Sequence, residues 1–415
     1  MQKQHFGVIF VVLKQQNMQN LIRYSNALIS GVNLDFTRYL YDTIKWDDRL
    51  IGITGARGIG KTTLMIQYIR RTYGISSLAL YVSLDNFYFL KNNLFAFAEQ
   101  FYINGGRYLF IDEVHRYPTW SSELKNIYDN FPELKIVFSG SSALQIFKAE
   151  ADLSRRAVMY KLGPMSLREY IALRHKVNIG SLTLGEILKD HVPIATEILQ
   201  KIQPIPAFTK YLRGGVYPFF VESSAKFEQR LMSTVNVVIE NDLMAIERFS
   251  YGTLVNIRRI LAFIADSVPF KPNISELGRK TGVSRDILLR LIDLLEKSDL
   301  LILLKQDSSP TGYLTKPEMI YLHNTALLYC LTQNQNPEKG TLRETFFVNQ
   351  LRENHLVNIS QQGDFLIDNQ FVFEIGGKGK TGKQIAGIEN SYIIQDDIEI
   401  GYKNFIPLWL FGFLY

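Results

Sequence analysis

From Arg49 to Gly74 the chain reads RLIGITGARGIGKTTLMIQYIRRTYG: an apolar run from Leu50 to Thr54, a glycine-rich break, then Leu64, Met65 and Ile69 at helical spacing. That pattern predicts a strand, a turn and a helix. Three more short apolar runs follow, in LALYVSLD, RYLFIDEV and KIVFSGSS, with helical stretches such as 121–130 between them. Strands that are apolar on both faces fit the parallel sheet of an α/β domain, here predicted over 31–162 and ending near Leu162. Residues 163–250 alternate helical stretches with loops marked by Pro164, Pro204, Pro206 and the GGVYP turn, and are expected to form a helical lid or connector. Residues 251–310 give a helix, a short helix, a turn at Gly282, a third helix and an apolar strand, the order of a winged helix-turn-helix. From about 311 to 415 helices and strands mix again, and the apolar end FIPLWLFGFLY is expected to close the chain as a strand.

A length of 415 residues exceeds one hydrophobic core, so two to four domains are expected. With 47% hydrophobic and 21% charged residues, long disorder is excluded as the organising principle. The single cysteine, Cys330, rules out an intramolecular disulfide and a four-cysteine zinc site, and suits a reducing, cytoplasmic setting. Lysine and arginine exceed aspartate and glutamate by 46 to 40, a formal charge of +6, which favours a polyanion only if gathered on one face. The longest apolar stretches, Phe6–Leu13 and the carboxyl end, fall short of the roughly 20 residues of a spanning helix. No membrane association is therefore expected. Lys3 and His5 imitate a signal peptide, but Lys14 and two glutamines follow without a cleavage site, so residues 1–30 read as a leader and amino-terminal segment, with Met18 a candidate start.

The glycine-rich break carries the chemistry. Gly55, Ala56, Arg57, Gly58, Ile59, Gly60, Lys61 and Thr62, with Thr63 behind them, satisfy the phosphate-loop pattern of glycine, four residues, glycine, lysine and a hydroxyl residue. Glycines let backbone N–H groups curl around phosphates, Lys61 would reach the β and γ phosphates, and the Thr62 hydroxyl would ligate Mg²⁺. Four mostly apolar residues then push Asp112 and Glu113 out at the carboxyl end of a strand. Asp112 suits the Mg²⁺ shell and Glu113 the polarisation of an attacking water. Ser139, Ser141 and Ser142 end the next strand, where a hydroxyl can sense the γ-phosphate or simply form a turn. Arg155 and Arg156 offer an arginine finger, or a surface ion pair; His115 and Arg116 offer a sensor of nucleotide state, or packing against Tyr117 and Trp120.

The strings GARGIGKTTL, YLFIDEVHRYPTWSSELKNIYD, LKIVFSGSSAL and DLSRRAV together resemble a large group of prokaryotic AAA-type P-loop ATPases. The resemblance continues through YLRGGVYP and covers roughly 20–415. It implies ATP as the nucleotide, an additional-strand P-loop fold, a winged helix, and a last α/β domain similar to PD-(D/E)xK, restriction-endonuclease-like, nucleases. It implies no particular substrate. In that last domain Glu344, Asp364 and Glu374, with Lys378 and Gln384, stand where a nuclease carries its metal-binding acids and helper residues, and Asp364 and Glu374 are candidates for a second metal. Gly376 takes the place of the expected lysine, and Lys378 and Lys380 lie past a glycine pair, so a degenerate domain without cleavage is expected.

In the third helix of the winged segment, Ile287, Leu288, Leu291, Ile292, Leu294 and Leu295 are expected to bury. Arg285, Arg290 and Lys297 are then matched by Asp286, Asp293 and Glu296, with no net pull on phosphate, although Arg258, Arg259, Lys271, Arg279 and Lys280 lie nearby. Two functions follow: an ATP-driven switch, with a homo-oligomer or an unidentified protein as partner, or a DNA-associated module in which ATP gates binding or cutting.

Overall fold

The computed structural model describes residues 18–140, 153, 155–221, 226–246, 249–267, 271–305, 317–332 and 336–415. They fall into two compact units, Met1–Leu162 and Gly163–Tyr415. Among the described residues no helix is long and apolar enough to cross a membrane.

The first unit opens with a helix over residues 18–31 (α1) and then alternates strands and helices: β1 (Leu50–Thr54), α2 (Lys61–Thr72), β2 (Ala79–Ser83), α3 (Leu94–Ile103), β3 (Tyr108–Asp112), α4 (Trp120–Asn130), β4 (Lys135–Ser139) and β5 (Val158–Lys161). All five strands are parallel, in the order β2-β3-β4-β1-β5. Their carboxyl ends therefore share one rim, and β4 separates the strand that feeds the glycine loop from the strand that ends in Asp112. The apolar runs form strands because helices cover them. Leu94, Phe97, Ala98 and Phe101 make a stripe on α3, and Trp120, Leu124 and Ile127 another on α4. Fully burying a large apolar side chain of this kind contributes about 1.5–3 kcal/mol relative to leaving it exposed. The edge strand β2 is partly capped by α1, whose Ser25 hydroxyl accepts the Tyr81 N–H at 3.1 Å. At the other edge β5 is only half covered. It is the strand that the sequence pattern does not announce.

The second unit starts with α5 (Leu167–His175) and α6 (Leu184–Leu199), each opened by a capping box, Ser166 with Glu169 and Thr183 with Glu186. After α7 (Pro204–Lys210) the GGVYP segment is not an open loop. Tyr211–Gly215 continues as a π-helical turn, with Phe220 and Phe227 packed against the space a Gly214 side chain would fill. Next come α8 (Phe227–Val237), α9 (Tyr251–Asp266), α10 (Ile274–Thr281) and α11 (Arg285–Lys297), then an antiparallel pair, β6 (Leu301–Leu304) and β7 (Met319–Leu322). On α11 the buried set is Leu288, Leu289, Leu291, Ile292, Leu294 and Leu295, whereas Ile287 is 52% exposed. The expectation for Ile287 is therefore corrected: in the helix's first turn it faces outward, and Leu289 takes the inner position.

After α12 (Thr325–Leu331) and α13 (Lys339–Leu351), five strands form the second large sheet: β8 (Val357–Ile359), β9 (Phe365–Ile367), β10 (Phe371–Gly376), β11 (Ser391–Gln395) and β12 (Phe405–Pro407). Sequence neighbours pair in order, antiparallel from β8 to β10 and parallel from β10 to β12. Phe347 of α13 packs against Phe365, Phe373 and Phe411. The carboxyl end is corrected from one strand to two elements. Only Phe405–Pro407 pairs in the sheet, and Leu408–Phe413 winds into a 3₁₀ helix that buries Trp409, Phe411 and Phe413 among α5, α6 and α13. A run apolar at every position serves a helix packed all round as readily as a strand. Cys330 on α12 is partly buried, and burial pushes its thiol pKa up to about 11.

Candidate functional site

At the rim of the first sheet β1 runs into a loop whose glycines do what other residues cannot. Gly55 has φ +139° and Gly60 has φ +101°; at Gly55 a Cβ would lie 2.3 Å from the Leu162 carbonyl. Lys61, 6% exposed at the start of α2, folds back so that Nζ donates to the carbonyls of Gly55 and Ala56, each at 2.7 Å. Gly60, the N-cap of α2, has no side chain to occupy the helix's first N–H groups, and no acidic residue stands in the first turn. Such a helix end favours an anion. Behind the loop, buried Arg38 donates to the Ile59 carbonyl. Gly58 and Thr63 are exposed, and Ile59 is buried beneath the loop.

The second half of the site is Asp112, 2% exposed at the end of β3. The Thr62 hydroxyl donates to Oδ2 at 2.5 Å and the Tyr81 hydroxyl to the same oxygen at 2.9 Å. Oδ1 accepts from the Ser139 hydroxyl and from the Glu113 N–H. Burial and the Asp112 carboxylate push the Tyr81 pKa far up, so this phenol stays a donor. Tyr81 is absent from the sequence-based candidates. Its signal lies in the register: Ser83 pairs with Asp112 across β2 and β3, and Tyr81, two residues back, shares that face and reaches diagonally.

Glu113 follows in the left-handed region, φ +53°, uncommon for a residue with a long side chain. Its Oε2 lies 3.2 Å from Arg57 of the loop and 3.4 Å from Nε2 of buried His115. Lys61, Thr62, Asp112, Glu113, Ser139 and Arg57 thus share one rim. Ser141 and Ser142 lie outside the described residues. Arg156 pairs through Nε and Nη2 with Asp129 of α4, each at 3.0 Å, and Arg155 is exposed. Thr62 and Asp112 present hard oxygen donors side by side, the type Mg²⁺ takes. Among the described residues no group of three or more His, Cys, Asp or Glu is gathered for a metal. Mg²⁺ at a phosphate site uses one or two protein oxygens with phosphate and water, so these two residues fit it.

The second unit holds a separate acidic group. Glu374 on β10 is 2% exposed, with Oε1 3.0 Å from Lys380 Nζ and Oε2 without a hydrogen-bond partner among the described residues. Asp364 accepts the Ile375 N–H at 2.6 Å, and burial raises its pKa. Glu344 of α13 accepts from the Tyr321 hydroxyl at 2.8 Å, and burial raises its pKa to about 7. Lys378 and Gln384 are exposed, and Gln395 instead bonds the carbonyls of Lys378 and Lys380. Of the two lysines past the glycine pair, Lys380 and not Lys378 stands beside the acidic group. A turn closed by Lys380 N–H on the Gly377 carbonyl brings the chain back, and the Lys380 stem lies across Gly376, 2.7–2.8 Å from where its Cβ would be.

Residues 47–171 match a family model described as an AAA domain. The phosphate-loop unit is AAA-type. Residues 205–338 match a model of a domain of unknown function, DUF8612. An uncharacterized protein of Methanocaldococcus jannaschii is 29% identical over 317 residues, 71% of this chain and 66% of that protein, so the match spans just under two thirds of the relative's length. An uncharacterized protein of Haemophilus influenzae is 22% identical over 407 residues, 89% of this chain and 92% of the relative. The Walker-type ATPase PABY2304 of Pyrococcus abyssi is similar at a TM-score of 0.40 and 14% identity, over 71% of this chain and 95% of that one.

Proposed function

We propose that the AAA-type unit binds ATP with Mg²⁺ and hydrolyses it, and that the chain works as a nucleotide-driven switch. The observation that carries this reading is the convergence of Thr62, Tyr81 and Ser139 on the Asp112 carboxylate, with Glu113 one residue beyond and Lys61 across the loop. In the reaction Lys61 would exchange the carbonyls of Gly55 and Ala56 for phosphate oxygens, and the loop N–H groups would hold the rest of the tail. Thr62 and Asp112 would hold Mg²⁺, which when bound supplies charge neutralisation to the phosphates. Glu113 would orient a water and accept its proton, and Ser139 keeps Asp112 oriented. Exposed Arg155 is the better candidate to reach a neighbouring copy, because Arg156 is already paired with Asp129.

Calorimetry with Mg²⁺ and a non-hydrolysable ATP analogue, alongside a phosphate-release assay, tests the proposal. Lys61→Ala should remove binding, whereas Glu113→Gln should keep binding and lose turnover by roughly 100-fold or more, the scale of a general base. Turnover in Glu113→Gln equal to that of the unaltered protein would sink the assignment.

A second reading, in which ATP gates DNA binding or metal-dependent cutting, draws support from Lys380 beside Glu374 and from the three helices and hairpin of 251–322, the order of a winged helix. The charges on α11 speak against a phosphate-binding face. Lys297 pairs with Asp293 at 2.8 Å, and Glu296 with Arg352 at 3.4 Å. The switch reading therefore stands first. Retention on DNA at low salt, together with Mg²⁺-dependent cutting that Glu374→Ala removes, would reverse that order.

A further inference from the structure

The two cations of the phosphate loop both spend themselves on protein acceptors that a phosphate could replace. Lys61 donates to two loop carbonyls, and Arg57 to the Glu113 carboxylate at 3.2 Å. Arg57 stands between Gly55 and Gly58 on the loop proposed to wrap a phosphate tail, and its guanidinium lies beside Glu113, the residue assigned to the attacking water. The Arg57 and Glu113 side chains are 25% and 19% exposed, open enough for an incoming anion to compete. A terminal phosphate offers a planar guanidinium more charge and more acceptor oxygens than one carboxylate oxygen does. Glu113 is also held in its left-handed conformation by its own N–H on Asp112 and by the Arg116 N–H on its carbonyl. It is thus presented to Arg57 by the residue that would share Mg²⁺.

We infer that Arg57 makes the site distinguish a nucleoside triphosphate from a diphosphate. Without a γ-phosphate its guanidinium holds Glu113, and with one it changes partner and frees the carboxylate for water. The inference rests on the ATP reading and deepens it. It assigns to Arg57 a specificity role that the phosphate-loop pattern, which leaves this position open, does not contain.

The test compares calorimetric Kd values for ADP and for a non-hydrolysable ATP analogue, both with Mg²⁺, in the unaltered chain, Arg57→Gln, Glu113→Gln and the double variant. Arg57→Gln should leave ADP affinity within about twofold and weaken the triphosphate by roughly tenfold or more, the scale of one charge-assisted hydrogen bond. Glu113→Gln should tighten the triphosphate severalfold when Arg57 is present and leave it unchanged when Arg57 is glutamine. Arg57→Lys should restore part of the discrimination, as a point charge without the fork. Equal weakening of ADP and the analogue in Arg57→Gln, or the same Glu113→Gln effect in both backgrounds, overturns the inference while leaving the ATP reading intact. ADP binding serves as the control for folding. Binding of neither nucleotide by the unaltered chain overturns the ATP reading, and this inference with it.

Discussion

Asp112 accepts from Thr62, Tyr81, Ser139 and the Glu113 N–H, so its position is fixed by four donors: two from strands, one from a helix and one from the residue that follows its own strand. The Tyr81 phenol, like the Ser139 hydroxyl, contributes to the proposed chemistry only by orienting Asp112. Tyr81→Phe keeps the ring and removes the hydroxyl. A hydrogen bond to a charged group is worth about 1.5–3 kcal/mol, so turnover should fall roughly 10- to 100-fold if the loss falls on the transition state, with the far-ultraviolet spectrum and ADP affinity kept. Phosphate release at saturating ATP measures it, and an unchanged rate would reduce Tyr81 to a packing residue. The phosphate-loop residues are legible from sequence because backbone geometry dictates their types at fixed spacing. Tyr81 and Arg38 are not legible. Each reaches its partner across the fold, and nothing in its local pattern distinguishes it from an ordinary strand tyrosine or loop arginine.

At the scale of elements, strands β1 to β4 can be read from unbroken apolar runs, since each is buried on both faces and lies between turn residues. β5 cannot. An edge strand of four residues, exposed at both ends and half-buried between them, offers too short a run, and its strand partner among the described residues, β1, lies 104 residues or more earlier. The turn of 377–380 is the opposite lesson. The sequence shows two glycines and a turn but not which lysine comes back, and in the fold it is Lys380 that meets the acidic group. That group sets a pH dependence. Glu344 has a folded pKa of about 7 against an ordinary 4.5, so the fold prefers its protonated form. The contribution is fully present below the unfolded value and is lost as pH rises through about 7. Glu344→Gln keeps a neutral acceptor for Tyr321 without the titration. The variant should therefore melt at a higher temperature than the unaltered chain at pH ~8, with the difference shrinking toward pH ~5. Thermal unfolding at the two pH values decides it, and a difference that grows toward acid would refute the assignment.

For the whole molecule, two units with separate sheets and cores imply two unfolding transitions with different sensitivities. Mg²⁺ and an ATP analogue at about 100 times Kd should stabilise the AAA-type unit by about 2.7 kcal/mol and raise its transition by several degrees. Differential scanning calorimetry should show that shift in the unaltered chain and none in Lys61→Ala. A uniform shift of both transitions would indicate units that unfold together. The lone thiol has a practical bearing on such experiments. Cys330 is partly covered, and burial raises its thiol pKa, which lowers its reactivity toward electrophiles in neutral buffer. A dye-accepting cysteine engineered at an exposed helical position such as Lys125 would thus outcompete it. The natural thiol is a weak competitor for optical labels placed elsewhere.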